Sequence, residues 1–329
     1  MAKPQYRIRR RINTIQVTAG GQITIDLPRD YDYEAIMVRL SGTANVTVIA
    51  TSVRAEAPCQ WVPRLEIIAD GKNTLFNAPL WFAALGSYVR PGAIASGARV
   101  TTPPTAVAVA AYPVEALGVI DFMTVDGVHP KDTNFRPSGL SLFQLRATFG
   151  NPGDIFVGGT VSFTGTPTLE VFAVQLVEQP DPQTGQYAQP IALKKVSTQI
   201  AAVPSSNSAQ EIRLPAGNFI KSVLLRADGG TTAGEPSTAV VNGLILQNGV
   251  DVRFNLSGAQ VRQLNNMDYG AITSGYYIAD VTSKGRADVN LSELWDCTNP
   301  AEPKLLVDAT LGAATTTLTA VITEMIMAG

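Results

Sequence analysis

Ile25-Asp26-Leu27-Pro28 returns later in the same chain as Ile212-Arg213-Leu214-Pro215, and the shift of 187 residues also carries Met37-Val38-Arg39 onto Leu224-Leu225-Arg226 and Gly42 onto Gly229. Asp70-Gly71 followed by Phe76-Asn77 returns as Asn248-Gly249 followed by Phe254-Asn255, at a shift of 178. Ala147-Thr148-Phe149-Gly150 matches Ala309-Thr310-Leu311-Gly312 at 162, and Thr166-x-Thr168-Leu169 matches Thr315-x-Thr317-Leu318 at 149. Matches that keep one order while their shifts shrink describe a duplicated unit whose first copy has the longer loops. Between the outermost matches the shift falls from 187 to 149, so the first copy is 38 residues longer. The surplus falls mostly in residues 90–105 and 124–138, and long loops on one copy only suggest surfaces specialised for a partner.

The duplicated unit reads as β. Ile23–Leu27, Ala35–Leu40, Leu65–Ala69, Leu142–Phe149 and Leu169–Val177 are apolar or β-branched stretches bounded by Gly, Pro, Asn or Asp. Glu211–Leu214, Val223–Ala227, Gly243–Leu246, Val250–Phe254, Leu305–Leu311 and Thr317–Ile326 repeat the pattern. Seven or eight short strands per half suggest a sandwich. Asp70-Gly71 and Asn248-Gly249 each predict a tight type I′ hairpin, because these residues accept positive φ, which makes Gly71 and Gly249 the structural turn residues. Each hairpin runs into a helix start. Asn77 is placed to cap a helix with Pro79 in its first turn and Trp81, Leu85 and Tyr88 on one face; Ser257-x-x-Gln260 is a capping box.

These signals divide the chain into a basic N-terminal arm (1–12), a first β domain with longer loops (13–178), a Pro-, Gln- and Gly-rich linker (179–192) and a second β domain (193–329). A length of 329 residues suits two domains of about 150 residues. With 45% hydrophobic and 16% charged residues the surface is sparing in charge, and the net charge of −2 gives no global pull on nucleic acid or membrane. The basic charge is concentrated: Lys3, Arg7, Arg9, Arg10 and Arg11 stand among residues 1–12 with no acid. Two readings stay open for them, an exposed tail without a partner and an electrostatic contact with lipid headgroups or nucleic-acid phosphates. Residues 1–12 lack the apolar stretch of a secretory signal, and no apolar run reaches the length of a membrane span.

Signs of chemistry are few. His129 is the one histidine and sits in a Val-His-Pro loop without a nucleophile motif, which leaves no histidine-based triad or metal cluster to build. No Gly-rich phosphate loop is present. Cys59 and Cys297 are too few for a disulfide framework and are expected as buried thiols. Asp30, Asp32 and Glu34 crowd three carboxylates into one turn. Solvated acids are the simpler reading, and calcium is the one cofactor this oxygen cluster could take. Asn45, Asn255 and Asn290 fit the glycosylation pattern and are read as chance matches.

The duplicated eight-stranded sandwich, with a Gly-turn hairpin feeding a short helix in each copy and a basic N-terminal segment, resembles the double-jelly-roll major capsid proteins of icosahedral bacteriophages with an internal membrane, the corticovirus and tectivirus types. The resemblance implies two tandem eight-stranded jelly rolls, all-β, with a short helix between strands F and G of each. In that lettering Ile23–Leu27 and Ala35–Leu40 are expected as B and C, the strands around Asp70-Gly71 as E and F, and Leu142–Phe149 and Leu169–Val177 as H and I. It further implies a structural coat protein without catalysis. Pseudo-hexagonal homotrimers would tile the virion shell and meet penton and minor capsid proteins, and the basic residues would face an internal lipid membrane. Made in the host cytoplasm, such a protein ends in the virion. The competing readings are a double-jelly-roll hydrolase of glycans or glycoproteins, and a phage spike or receptor-binding protein.

Overall fold

A computed structural model describes residues 6–85, 101–102, 107–122, 133–177, 190–230, 232, 234–270, 272–282, 293–298, 302–312 and 315–327. The chain divides into two compact units, Met1–Leu193 and Lys194–Gly329. Of the linker expected at 179–192, residues 179–189 lie outside the described residues, as do His129, Tyr88 and Asn290.

The first unit runs β1 (Tyr6–Gln16), β2 (Gln22–Asp26), β3 (Asp32–Val48), β4 (Ser52–Val53), β5 (Arg64–Ala69), β6 (Asn73–Ala78), α1 (Leu80–Leu85), β7 (Thr101–Thr102), β8 (Ala110–Asp121), β9 (Phe143–Thr148), β10 (Phe156–Val157), β11 (Thr160–Phe163) and β12 (Thr168–Val177). One sheet has the order β1-β12-β3-β8-β7, with β11 also on β3; the other has β6-β5-β9-β2. The second unit runs β13 (Ala192–Val203), β14 (Asn207–Arg213), β15 (Phe219–Asp228), β16 (Val241–Asn248), β17 (Asp251–Ser257), α2 (Gly258–Tyr269), β18 (Tyr276–Asp280), β19 (Trp295–Asp296), β20 (Pro303–Ala309) and β21 (Thr316–Met327). Its sheets are β13-β21-β15-β18, with β19 also on β15, and β14-β20-β16-β17.

In strand letters both units read B-I-D-G on one sheet and C-H-E-F on the other, the order of a jelly roll. The quoted repeats fall on equivalent strands: Ile25 and Ile212 on C, Met37 and Leu224 on D, Phe76 and Phe254 on F, Ala147 and Ala309 on H, Leu169 and Leu318 on I. The expected lettering of E, F, H and I agrees with this order. The first two letters do not. Ile23–Leu27 and Ala35–Leu40 belong to C and D, and B is β1, the arginine-rich segment set apart as an arm; in the second unit B is β13. The reason is burial. Among the residues of β1 none is fully buried, and only Ile8, Arg10, Ile12 and Ile15 are half-buried, so its core-facing row is interrupted by a charge.

Alternation of side chains fixes the remaining registers. Along β12, Leu169, Val171 and Ala173 are buried, and their register partners on β3 are Leu40, Val38 and Ile36, all buried as well. On the facing sheet Leu145 and Ala147 of β9 pair with Ile67 and Leu65 of β5, so the two inner faces close over one apolar core. Each such aliphatic side chain contributes about 1.5–3 kcal/mol on burial. Aromatic rings fill the two ends. Tyr33 meets Phe143 at 5.2 Å and Phe122 at 6.3 Å, and Trp61 lies 4.3 Å from Phe163 while its indole N–H donates to the Gly150 carbonyl at 2.8 Å. In the second unit Trp295, Tyr277, Val223, Leu225, Leu244, Leu305, Val307 and Ile322 form the corresponding core.

The helices sit at the F–G connection, as the resemblance implies. α2 carries the capping box: Ser257 Oγ accepts from the Gln260 N–H at 3.3 Å, and Gln260 Oε1 accepts from the Ser257 N–H at 3.0 Å. Asn265, buried on α2, donates to the Ile278 carbonyl and accepts from the Ile278 N–H, both at 2.7 Å, and so ties the helix to β18. α1 begins after Pro79 and is described as far as Leu85. Asn77, expected as its cap, is a strand residue of β6 opposite Glu66, and its Oδ1 accepts from Arg64 Nε at 3.2 Å. Leu80, Trp81 and Ala83 of α1 are buried, and the helix lies on β8 where Gly118 leaves room.

The hairpins differ in type. Between β5 and β6, Asp70 and Gly71 both have positive φ (51° and 70°), the I′ signature, and the Lys72 N–H donates to the Ala69 carbonyl at 3.3 Å. Between β16 and β17, Asn248 pairs with Asp251 as the last rung, so the two turn residues are Gly249 (φ 61°) and Val250. Asn248 itself has no positive φ. With glycine first and φ positive there alone, this turn is of the II′ kind rather than the expected I′.

Candidate functional site

Two features of the sequence carried candidate chemistry, the arginines of residues 1–12 and the carboxylates of the Asp30–Glu34 turn. The fold brings them together. β1 pairs with β12 and β12 with β3, which places the start of β1 beside the turn that leads from β2 into β3. Arg7 Nε lies 2.7 Å from Glu34 Oε2 and 2.9 Å from Oε1. Arg10 reaches Asp30 at 2.6 Å, with its guanidinium 5.6 Å above the centre of the Tyr31 ring. Asp32 is taken by a third arginine, Arg136, through contacts at 2.7, 3.0 and 3.2 Å.

Each of the three carboxylates therefore faces its own guanidinium. This corrects the reading of the turn as solvated acids, since Asp32 and Glu34 are buried. It also removes the arrangement calcium would need, because the oxygens diverge toward separate arginines. Among the described residues no group of three or more His, Cys, Asp or Glu is placed to hold a metal. A buried carboxylate must be paired or protonated, and bidentate guanidinium contacts are the pairing that satisfies its geometry best.

The ion pairs extend along the outer face of the same sheet. Arg39 on β3 bridges Glu115 on β8 and Glu170 on β12, both at 2.8 Å, and Arg11 approaches Glu170 at 3.9 Å. The hydrogen bonds that Arg39 donates to these carboxylates raise its pKa, and its hydrogen bond to Glu115 holds that carboxyl below its ordinary range. Arg7 is likewise raised, chiefly by its hydrogen bond to Glu34. Arg9 has no ionic partner among the described residues, and Lys3 lies outside them.

Arg136, Arg39, Glu115 and Glu170 were not singled out in the sequence. Their signal was present only as lone charges at alternate positions of strands, which becomes informative once register is known. The cysteines are buried as expected, with the Cys297 thiol pushed up to about 12 by burial. A raised thiol pKa means little thiolate at neutral pH and hence an inert sulfur.

The arrangement locks the edge strand of one sheet and the C–D turn with paired charges. A chain of two such jelly rolls is the double-jelly-roll architecture. No protein-family profile matches the sequence, and no curated protein matches it by sequence. Solved structures do match. The atomic structure of Sulfolobus turreted icosahedral virus contains a chain that superposes with a TM-score of 0.73 at 17% identity, over 98% of this chain and 91% of that one. The major capsid protein of bacteriophage PM2 gives 0.63 at 15%, over 98% of each chain. A chain of the PBCV-1 virus capsid gives 0.69 at 14%, over 99% of this chain and 94% of that one. At these identities the likeness is one of fold, and it spans both jelly rolls from end to end.

Proposed function

We propose that this protein is a structural coat protein that forms the shell of an icosahedral virion. The observation that carries the reading is the B-I-D-G and C-H-E-F order in both units, in a chain that solved virus capsid proteins match over nearly their whole length. Two like units per chain, multiplied by a threefold, make a block with six similar sides, which suits a capsomer that tiles a lattice. The partners of this reading are other copies of the chain first, then penton and minor capsid proteins at the special positions of the shell. A catalytic role is not part of it. The paired carboxylates of the Asp30–Glu34 turn weigh against the hydrolase alternative at that site, and the end-to-end match to coat proteins weighs against a spike.

A lipid membrane beneath the shell stays within the proposal, but on a narrower basis than a free basic arm. Arg7, Arg10 and Arg11 are engaged with acids of their own fold, which leaves Arg9, among the described residues of this segment, as the arginine available to anionic headgroups. One basic residue near such a surface contributes about 1 kcal/mol, a weak and salt-sensitive contact.

Assembly state tests the reading. The purified 34.9 kDa chain is expected to run as a trimer and to show hexagonal outlines in negative stain. A stable monomer that builds no higher assembly at high protein concentration would overturn it.

A further inference from the structure

The two Asn-Gly dipeptides of the chain, Asn242-Gly243 and Asn248-Gly249, lie six residues apart on and beside β16, in opposite chemical situations. The Asn242 amide donates to Asp308 Oδ1 at 3.2 Å and to Thr310 Oγ1 at 2.9 Å, and Gly243 is held in the ladder between Ser257 and Asp308. The Asn248 side chain makes no hydrogen bond among the described residues, and its Oδ1 is buried without a donor. Gly249, next in sequence, is exposed in the turn with φ 61°, has open space where a Cβ would stand, and has no backbone acceptor for its N–H among the described residues; Val250 after it is fully exposed.

The first unit supplies a second contrast at the equivalent hairpin. Asp70 stands where the repeat places Asn248, and its Oδ1 accepts from Ser141 N–H at 2.7 Å and Ser141 Oγ at 2.8 Å. There the side chain is fixed and already a carboxylate. At Asn248 nothing fixes it.

We propose that Asn248 is a self-modifying site, which converts to aspartate and isoaspartate in the folded protein while Asn242 is preserved. The backbone nitrogen of Gly249 attacks Cγ of Asn248; a C–N bond forms as the Cγ–Nδ2 bond breaks, and Nδ2 leaves with the proton as ammonia. Water then opens the five-membered succinimide at either carbonyl, to aspartate or to isoaspartate. The step is a redox-neutral exchange of ammonia for water. Glycine favours it because no side chain hinders the attacking nitrogen and its backbone is the most permissive. The product puts a carboxylate opposite Asp251 on the last rung, where Asp251 already accepts from Arg253 Nε at 2.9 Å and from the Trp295 indole N–H at 3.1 Å. Like charges directly opposite destabilise a pair, and isoaspartate adds a methylene to the strand backbone, so conversion loosens the hairpin tip.

Peptide mapping tests this on the whole protein. Trypsin releases residues 227–253 as one peptide carrying both asparagines, and fragmentation assigns a one-dalton gain to either. After incubation of the folded trimer or monomer at mildly alkaline pH, conversion is expected about thirtyfold faster at Asn248 than at Asn242, the factor that two hydrogen bonds of ordinary net strength supply. In denaturant the two rates should converge, and isoaspartyl methyltransferase should label wild type but not Asn248→Gln at this position. Equal rates in the folded protein, or an Asn248 that persists as long as Asn242 while the denatured control converts, would overturn the proposal.

Discussion

Arg7 and Glu34, separated by 27 residues, close on each other at 2.7 Å, and that contact ties the first strand of the first jelly roll to the start of its strand D. Glu34 is buried while Arg7 is half-exposed, so the pair is neither a free surface bridge nor a sealed one. A charged N-terminal segment is thereby a structural strand in which Arg7, Arg10 and Arg11 pair with acids of the fold.

Removal of residues 1–11 should destabilise the first unit. The deletion takes the first six residues of β1, uncovers the edge of β12, and leaves Glu34 and Asp30 without their arginines. A buried carboxylate that loses its partner costs about 3–5 kcal/mol, so thermal unfolding of the truncated chain should begin well below that of the full chain. Unchanged calorimetric unfolding would show that β1 contributes nothing to the fold.

How the sequence concealed this is instructive. The duplication, both hairpins, the α2 capping box and strands E, F, H and I could be read because each rests on local chemistry: glycine at positive φ, a Ser-x-x-Gln cap, or unbroken alternation. Strand B could not, since Ile8, Arg10 and Ile12 share a face and the charge at Arg10 breaks the apolar row; its partner Asp30 is 20 residues away. The candidate site was half legible for the same reason. Both groups of charges stood out in the sequence, but their mutual pairing is a property of strand order, and Arg136 is 104 residues from Asp32.

Asp32 and Arg136 form the most enclosed of these pairs, with side-chain exposures of 10% and 15%. Arg136→Ala should therefore cost more than Arg39→Ala, whose guanidinium is 40% exposed. The expected losses are about 3–5 kcal/mol against at most about 1 kcal/mol per exposed contact, read from denaturant midpoints at constant slope. The reverse ranking would mean that the outer Arg39 bridges, not the enclosed pair, secure the sheet.

The Arg39–Glu115 bridge predicts a pH dependence. Glu115 has a folded pKa below its ordinary value, because Arg39 hydrogen-bonds its charged form. The contribution is thus complete above the unfolded pKa of a glutamate and is lost as pH falls through the lowered folded value. Glu115→Gln removes the titration, so the difference in stability between wild type and variant should shrink on acidification from neutral pH. A difference that stays constant or grows as the pH falls would contradict the assignment.

Gly118 on β8 gives a packing test. A Cβ built there stands 2.5 Å from Leu80 Cδ1 and 3.0 Å from the Ala83 Cβ, so a side chain at position 118 forces α1 or its Leu80 side chain to shift. Gly118→Ala should cost about 1–3 kcal/mol as overpacking, and Gly118→Val more, because its branched side chain must displace the buried Leu80 and Ala83 from the core. Leu80→Ala in the Gly118→Ala background removes one clashing group and should return part of the loss. The two changes share a contact, so their effects should depart from additivity in a double-mutant cycle. Strict additivity would place α1 away from Gly118 and would break the account of why this helix sits at the F–G connection.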